Sequence, residues 1–263
     1  MMSLSDNPII VITGASSGVG KETALLFARS GAITVLLARN RERLKSVAAA
    51  IEQRGGRSAA STVDINDAGQ VASVFGKIIA RFGKIDVLVN CAGFGMFERV
   101  DEMDLETVRK MFGVNIVGLI ACTKAVLPQM IRQHSGQIVN IASIAGKIAT
   151  TRSAVYSATK HAVIGFSDGL RLDLKNSGVT VTVVNPGPIR TPFFKTADPD
   201  GHYAASVERF MMDPTFVAAK VVRAVRTKKR EINLPWYMGA CSRLYQLCPR
   251  LVEHLGGRWM DLK

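Results

Sequence analysis

The sequence predicts an α/β fold, a doubly wound parallel sheet sandwiched between helices in three α/β/α layers, and three observations predict it. Short apolar segments alternate with amphipathic ones along the whole chain, the pattern of parallel strands joined by right-handed crossovers. The segments near 9–12, 86–89 and 179–184 are too continuously hydrophobic to have a wet face, so helices must cover both sides of the sheet. A glycine-rich turn, Thr13-Gly14-Ala15-Ser16-Ser17-Gly18-Val19-Gly20, joins the first strand to the first helix. In order, 9–12 is the first strand and a helix bearing alanine and leucine runs on to about Ser30. Strands follow at 32–37, 58–63, 86–90, 137–141, 179–185 and 231–234. Helices are expected near 41–54, 67–82, 104–133, 152–176 and 213–227, the last with Asp213 as N-cap and Pro214 in its first turn.

The 263 residues, 48% of them hydrophobic, suffice for one large core, and no repeat or polar linker divides them. One domain over 1–263 is expected, with a substrate-loop region at 186–212 and a C-terminal lid or docking extension at 235–263. Disorder is not expected. Cys91, Cys122, Cys241 and Cys248 lack both CxxC spacing and neighbouring histidines, so neither a metal site nor disulfides are expected. The first residues carry no apolar signal core, so a cytoplasmic location is expected, with peripheral contact at a membrane surface as the alternative. The formal charge is +13, and residues 215–263 carry ten Lys/Arg against three Asp/Glu. Zinc-finger, RNA-binding-strand and basic-zipper patterns do not accompany that charge, so nucleic-acid binding is not expected.

The residues that carry chemistry are Tyr156 and Lys160, four apart in Tyr156-Ser157-Ala158-Thr159-Lys160. On a helix this spacing puts phenol and ammonium on one face, and a fixed positive charge favours the phenolate of a group with a pKa of about 10. The plain alternative is a packed tyrosine beside a snorkelling lysine. The glycine turn weighs against it. Gly14 permits a tight turn, Gly18 close backbone approach and Gly20 close helix packing, while the helix N-terminus offers unpaired N–H groups to a pyrophosphate.

In these motifs the chain resembles the short-chain dehydrogenases/reductases of the Tyr-x-x-x-Lys subgroup, over nearly its whole length. The glycine turn matches the family's nucleotide motif, through Gly14, Ser16, Ser17, Gly18, Val19 and Gly20. Asn90-Cys91-Ala92-Gly93 matches its strand-four motif, with Cys91 where asparagine is usual. Pro186-Gly187-Pro188-Ile189-Arg190-Thr191 matches the motif after strand six. The resemblance implies a Rossmann-like fold and carbonyl–alcohol interconversion. It makes Tyr156 the acid or base, Lys160 the stabiliser of its phenolate and a partner of the nicotinamide ribose, and Ser143 the donor to the reacting oxygen. It gives Asn115 a part in holding a water of a proton relay. It also places Asp64, Asn90, Ala92, Gly93, Pro186, Gly187, Ile189 and Thr191 against the cofactor, although Asp64 would serve equally as a helix cap.

The end of the second strand, Leu36-Leu37-Ala38-Arg39, carries a guanidinium where a carboxylate would bind a free ribose 2′-hydroxyl. The expected cofactor is therefore NADP(H), with NAD(H) the alternative; Arg43 lies one turn later. Phe94, Met96, Phe97, Phe193, Phe194, His202 and Tyr203, with Ile148, Ala149 and Thr150, point to a small lipophilic carbonyl or alcohol substrate. The alternative is a cofactor-binding regulatory or scaffold protein without substantial turnover. The resemblance implies a homodimer or homotetramer, since the helices near 104–133 and 152–176 match elements through which the family commonly pairs; small residues at Ala154, Ala158, Ala162 and Gly165 would permit close approach there, or close packing on the sheet. Two short amphipathic helices are expected after Pro235, carrying Trp236, Tyr237, Met238, Leu244, Tyr245, Leu247, Leu251, Val252 and Leu255. They form a lid or subunit contact, with peripheral docking on an anionic membrane as the alternative.

Overall fold

The structure, a computed structural model, describes residues 7–250. Seven parallel strands, β1 (Ile9–Thr13), β2 (Ile33–Ala38), β3 (Arg57–Thr62), β4 (Val87–Asn90), β5 (Gly136–Ile141), β6 (Val179–Pro186) and β7 (Glu231–Leu234), form one sheet in the order β3-β2-β1-β4-β5-β6-β7. The order reverses between β1 and β4, and at such a switch point the helices leave a crevice beyond the carboxyl ends of the strands.

Alternation along the strands explains the two-sided core. Ile10, Ile12, Leu36, Val87 and Val89 turn towards α1 (Gly18–Arg29), α2 (Arg41–Glu52) and α9 (Pro214–Thr227). Ile9, Val11, Val35, Leu37 and Leu88 turn towards α3 (Ala68–Phe82), α5 (Leu119–Arg132) and α6 (Ala154–Asp173). Polar caps set the helix starts. Asn40, Asp67 and Asp213 accept hydrogen bonds from the backbone N–H groups of Arg43, Gln70 and Thr215.

The helix expected over 104–133 is not uniform. It begins as α4 (Leu105–Phe112), widens into a π segment at Gly113–Gly118 and continues as α5. The unbroken Leu105–Arg132 rod is, by length and composition, apolar enough to cross a membrane. Here Met111, Leu119, Cys122, Val126 and Met130 are buried in the domain.

The 186–212 region folds into two short helices, α7 (Phe194–Ala197) and α8 (His202–Val207). It is closed at its base by the Ile189–Met212 bridge, where Met212 N–H donates to Pro188 O at 2.9 Å. After Pro235 comes α10 (Trp236–Leu247), which leaves Trp236, Leu244 and Leu247 exposed. The remainder of the expected pair of helices, with Leu251, Val252 and Leu255, lies outside the described residues. The small-residue row on α6 faces outward: Ala154, Ala158 and Gly165 are exposed, so close packing on the sheet is not its role.

Candidate active site

A cleft of about 1150 Å³ opens above the carboxyl ends of the strands and gathers both motifs. One end is built for an anion. Thr13 Oγ1 accepts the N–H groups of Cys91 and Ala92, each at 3.1 Å, and locks the turn after β1 to the turn after β4. Gly14 has φ +68°, and a Cβ there would stand 2.8 Å from the Ala92 backbone, so a side chain would push the two turns apart. The N-cap Ser17 makes no side-chain cap bond, and the first turn of α1 holds no acid. Its leading N–H groups therefore face the cleft with no carboxylate in competition. Arg39 and Arg43 lie on the wall at this end, and Asp64, which follows the neighbouring strand β3, lines it too. Asp64 caps the local turn, accepting Asn66 N–H at 3.0 Å, and the cap of α3 is Asp67 instead.

At the other end Ser143, on the turn after β5, meets Tyr156 and Lys160 of α6. All three are buried, and the Ser143 hydroxyl hydrogen-bonds the Tyr156 phenol. Ser143 Oγ also accepts Ala145 N–H at 3.0 Å, so its capping bond and its place in the site coexist. The expected electrostatics need correction. Burial pushes the Tyr156 phenol well above its ordinary value, against the lowering effect of the Ser143 bond. Burial also brings Lys160 down to about 8. The ammonium donates to Ile141 O at 3.0 Å and lies 5.8 Å from the Tyr156 ring centre. Desolvation outweighs the attraction at that separation, and Tyr156 stays protonated near neutrality. Cys91 lines the cleft near Lys160, and burial pushes its thiol up to about 11.

Two of the expected site residues stand behind the wall. Asn90 is buried, its Nδ2 donating to Asn140 Oδ1 at 2.9 Å and Thr123 Oγ1 at 3.2 Å. Its side chain braces β4 against β5 and α5 and does not itself line the cleft. Asn115 sits in the π segment. Its Oδ1 accepts Phe94 N–H at 3.0 Å, while its Nδ2 donates to Phe94 O at 2.8 Å and Thr159 Oγ1 at 3.0 Å. Both amide hydrogens are thus used in clamping the turn after Gly93 to α6. Gly14, Ser16, Ser17, Gly18, Val19, Gly20, Ala92, Gly93, Pro186, Gly187, Ile189 and Thr191 all reach the cleft wall.

The substrate end is lined by Phe94, Phe97, Ile148, Phe193, Phe194 and Tyr203, and Tyr237, Met238 and Cys241 of α10 complete it. Met96 packs with this cluster instead of lining the cleft. Among the described residues of the whole wall, Arg39, Arg43, Asp64 and Lys160 carry charge, and only Lys160 is near Tyr156. Sequence reasoning missed the Lys147–Glu231 ion pair, which ties the turn after Ser143 to β7. Glu231 also accepts Asn233 Nδ2 at 2.8 Å. An isolated lysine and glutamate 84 positions apart give no sequence signal for such a contact.

A family profile described as short chain dehydrogenase matches residues 8–201. An uncharacterised oxidoreductase of Staphylococcus saprophyticus is 38% identical over 227 residues, covering 86% of this chain and 94% of that one. A short chain dehydrogenase/reductase from Burkholderia phymatum, solved in complex with NAD, superposes with a TM-score of 0.88 at 25% identity, over 95% of this chain and 96% of that one. A short-chain dehydrogenase from Sphingobium yanoikuyae, solved in complex with NADPH, gives 0.81 at 27% identity, over 93% and 94%. With the cleft, the glycine turn and the Ser143–Tyr156–Lys160 cluster in place, the chain is an oxidoreductase that belongs to the short-chain dehydrogenase/reductase family.

Proposed function

We propose that the protein is an NADP(H)-dependent reductase of uncharged, lipophilic carbonyl compounds. The observation that carries this reading is the placement of a buried Tyr156, held protonated by that burial, beside Ser143 in a cleft that also holds a helix N-terminus and two arginines. When bound, the reduced nicotinamide supplies the hydride. The residues present fit such a group. The uncapped α1 N-terminus with Ser16 to Gly20 would hold the diphosphate, Arg39 with Arg43 a 2′-phosphate, and Gly93, Gly187, Ile189 and Thr191 the nicotinamide end. Ser143 hydrogen-bonds the substrate oxygen where negative charge develops. Tyr156 Oη delivers the proton to that oxygen, which requires the protonated form that burial favours. Lys160 then stabilises the phenolate left behind and binds the nicotinamide ribose. Asn115 keeps the turn after Gly93 in register with α6 and, with Lys160, contributes to the relay that restores the proton.

Support for NADP(H) over NAD(H) is the absence of a carboxylate at the end of β2, where Arg39 stands. In direct binding, Arg39→Ala should weaken NADPH by about tenfold or more and leave NADH nearly unchanged, since charge-assisted bonds to phosphate are strong. Equal losses for both nucleotides would refute the assignment. The outward-facing small residues of α6, with the exposed Val117 of the π segment, Ile131 of α5 and Leu172 of α6, support a homo-oligomer paired through the α5 and α6 faces.

A further inference from the structure

The aromatic side chains at the substrate end form a box with defined angles. The Phe97 ring lies 5.7 Å from Tyr156 at 75°, 6.2 Å from Phe193 at 62° and 4.8 Å from Tyr203 at 64°. Phe193 lies 5.6 Å from Tyr156 at a tilted 54°, and Phe194 meets Phe193 at 86°. Apart from the tilted Tyr156–Phe193 pair these are edge-to-face arrangements, in which the positive ring edge of one partner meets the negative face of another. Three separate parts of the chain supply them: the segment after β4, helix α6 and the 186–212 region. Backbone bonds hold the parts together, since Phe97 N–H donates to Ala197 O at 2.7 Å. The absence of a side chain at Gly95 is required. A Cβ there would stand 2.8 Å from Phe193 Cζ and 3.0 Å from Tyr156 Cδ2. Tyr203 is fixed by a hydrogen bond with Thr150.

We infer that this box selects carbonyl compounds bearing an aromatic ring next to the reacting centre, an inference that rests on the carbonyl-reductase reading above. A substrate ring entering beside Tyr156 takes up edge-to-face contacts with Phe97 and Phe193 that an alkyl chain of equal size cannot make. Among the described residues the wall there offers no cation except Lys160 and no carboxylate, so a charged substituent on that ring would go unpaired. The hydride of NADPH adds to the carbonyl carbon, Tyr156 Oη gives its proton to the oxygen, and the C=O bond becomes C–O–H as NADPH becomes NADP⁺.

The test compares kcat/KM for acetophenone and 2-octanone, two ketones with the same number of carbon atoms, using NADPH and the full chain. The wild type should prefer acetophenone by about tenfold, the scale of one or two ring contacts. Phe193→Leu, which keeps an apolar side chain but removes the ring, should lower that ratio several-fold, and Tyr203→Leu, read in the same way, guards against a folding defect in the first variant. A wild type that reduces both ketones equally, or a ratio unchanged in both variants, overturns aryl selection and leaves carbonyl reduction standing. Loss of activity on every carbonyl tried, with NADPH bound, overturns the underlying reading as well.

Discussion

Replacing Lys160 with methionine should make the protein more stable while abolishing its activity. The side chain is buried, and burial takes its pKa from 10.5 to about 8. At about 1.36 kcal/mol per pKa unit, that shift means the fold opposes the charged form by about 3 kcal/mol near neutrality. Methionine fills similar space without the charge, but leaves Ile141 O without its donor, a loss of about 1 kcal/mol. The net expectation is a gain of about 2 kcal/mol at pH 7. The sign of the pH dependence follows from the lowered pKa of a base. The destabilisation of the wild type is complete below about pH 8, where folded and unfolded lysines are both protonated, and fades as pH rises towards 10.5, where neither is. Near pH 10 it is about 1 kcal/mol, and the two proteins should be about equally stable. Urea unfolding of the nucleotide-free proteins at the two pH values measures this. A methionine variant less stable than wild type at pH 7, or a difference independent of pH, would refute the reasoning.

Lys147→Met should lower kcat several-fold while leaving NADPH dissociation nearly unchanged, because Lys147 lies off the cleft wall and holds the Ser143 turn to β7 through Glu231. Lys147→Arg should restore most of the rate, and a methionine variant with wild-type kcat would remove the positioning role. Both side chains of this pair are largely buried, so the same change should destabilise the fold by about 2 kcal/mol in urea unfolding. Mass measurement in dilute solution should show at least a dimer, and an active, stable monomer would contradict the pairing through the α5 and α6 faces.

What was legible in the sequence was whatever local spacing encodes. The glycine turn between β1 and α1, the i,i+4 pair Tyr156 and Lys160, and the strands too apolar to have a wet face each follow from residues close together in the chain. The π segment at Gly113–Gly118 was not legible, because its register depends on Asn115 reaching Phe94 and Thr159, partners 21 and 44 positions away. The balance of charge around Tyr156 was misread for a related reason. Helical spacing puts Lys160 on the same face as Tyr156, but it does not reveal that the ammonium turns to Ile141 O or that both groups lose their water. Asn90 likewise carries the family pattern, yet Asn140 and Thr123, which recruit its side chain away from the cleft, come from other elements. The aromatic box was visible only as a list of rings; Gly95, the residue that lets Phe193 reach Tyr156, drew no notice in the sequence.

The most direct test of the whole account is the turnover of Tyr156→Phe. The substitution keeps the ring and its contacts with Phe97 and Phe193 but removes the proton that reduction needs. Steady-state NADPH consumption with acetophenone, paired with a direct NADPH dissociation measurement, separates chemistry from binding. General acid catalysis is worth about 10²–10⁴ in rate, so kcat should fall by at least about a hundredfold while the NADPH dissociation constant stays near the wild-type value. A phenylalanine variant that turns over at close to the wild-type rate would contradict the assignment of Tyr156 as the proton donor, and with it the proposed mechanism.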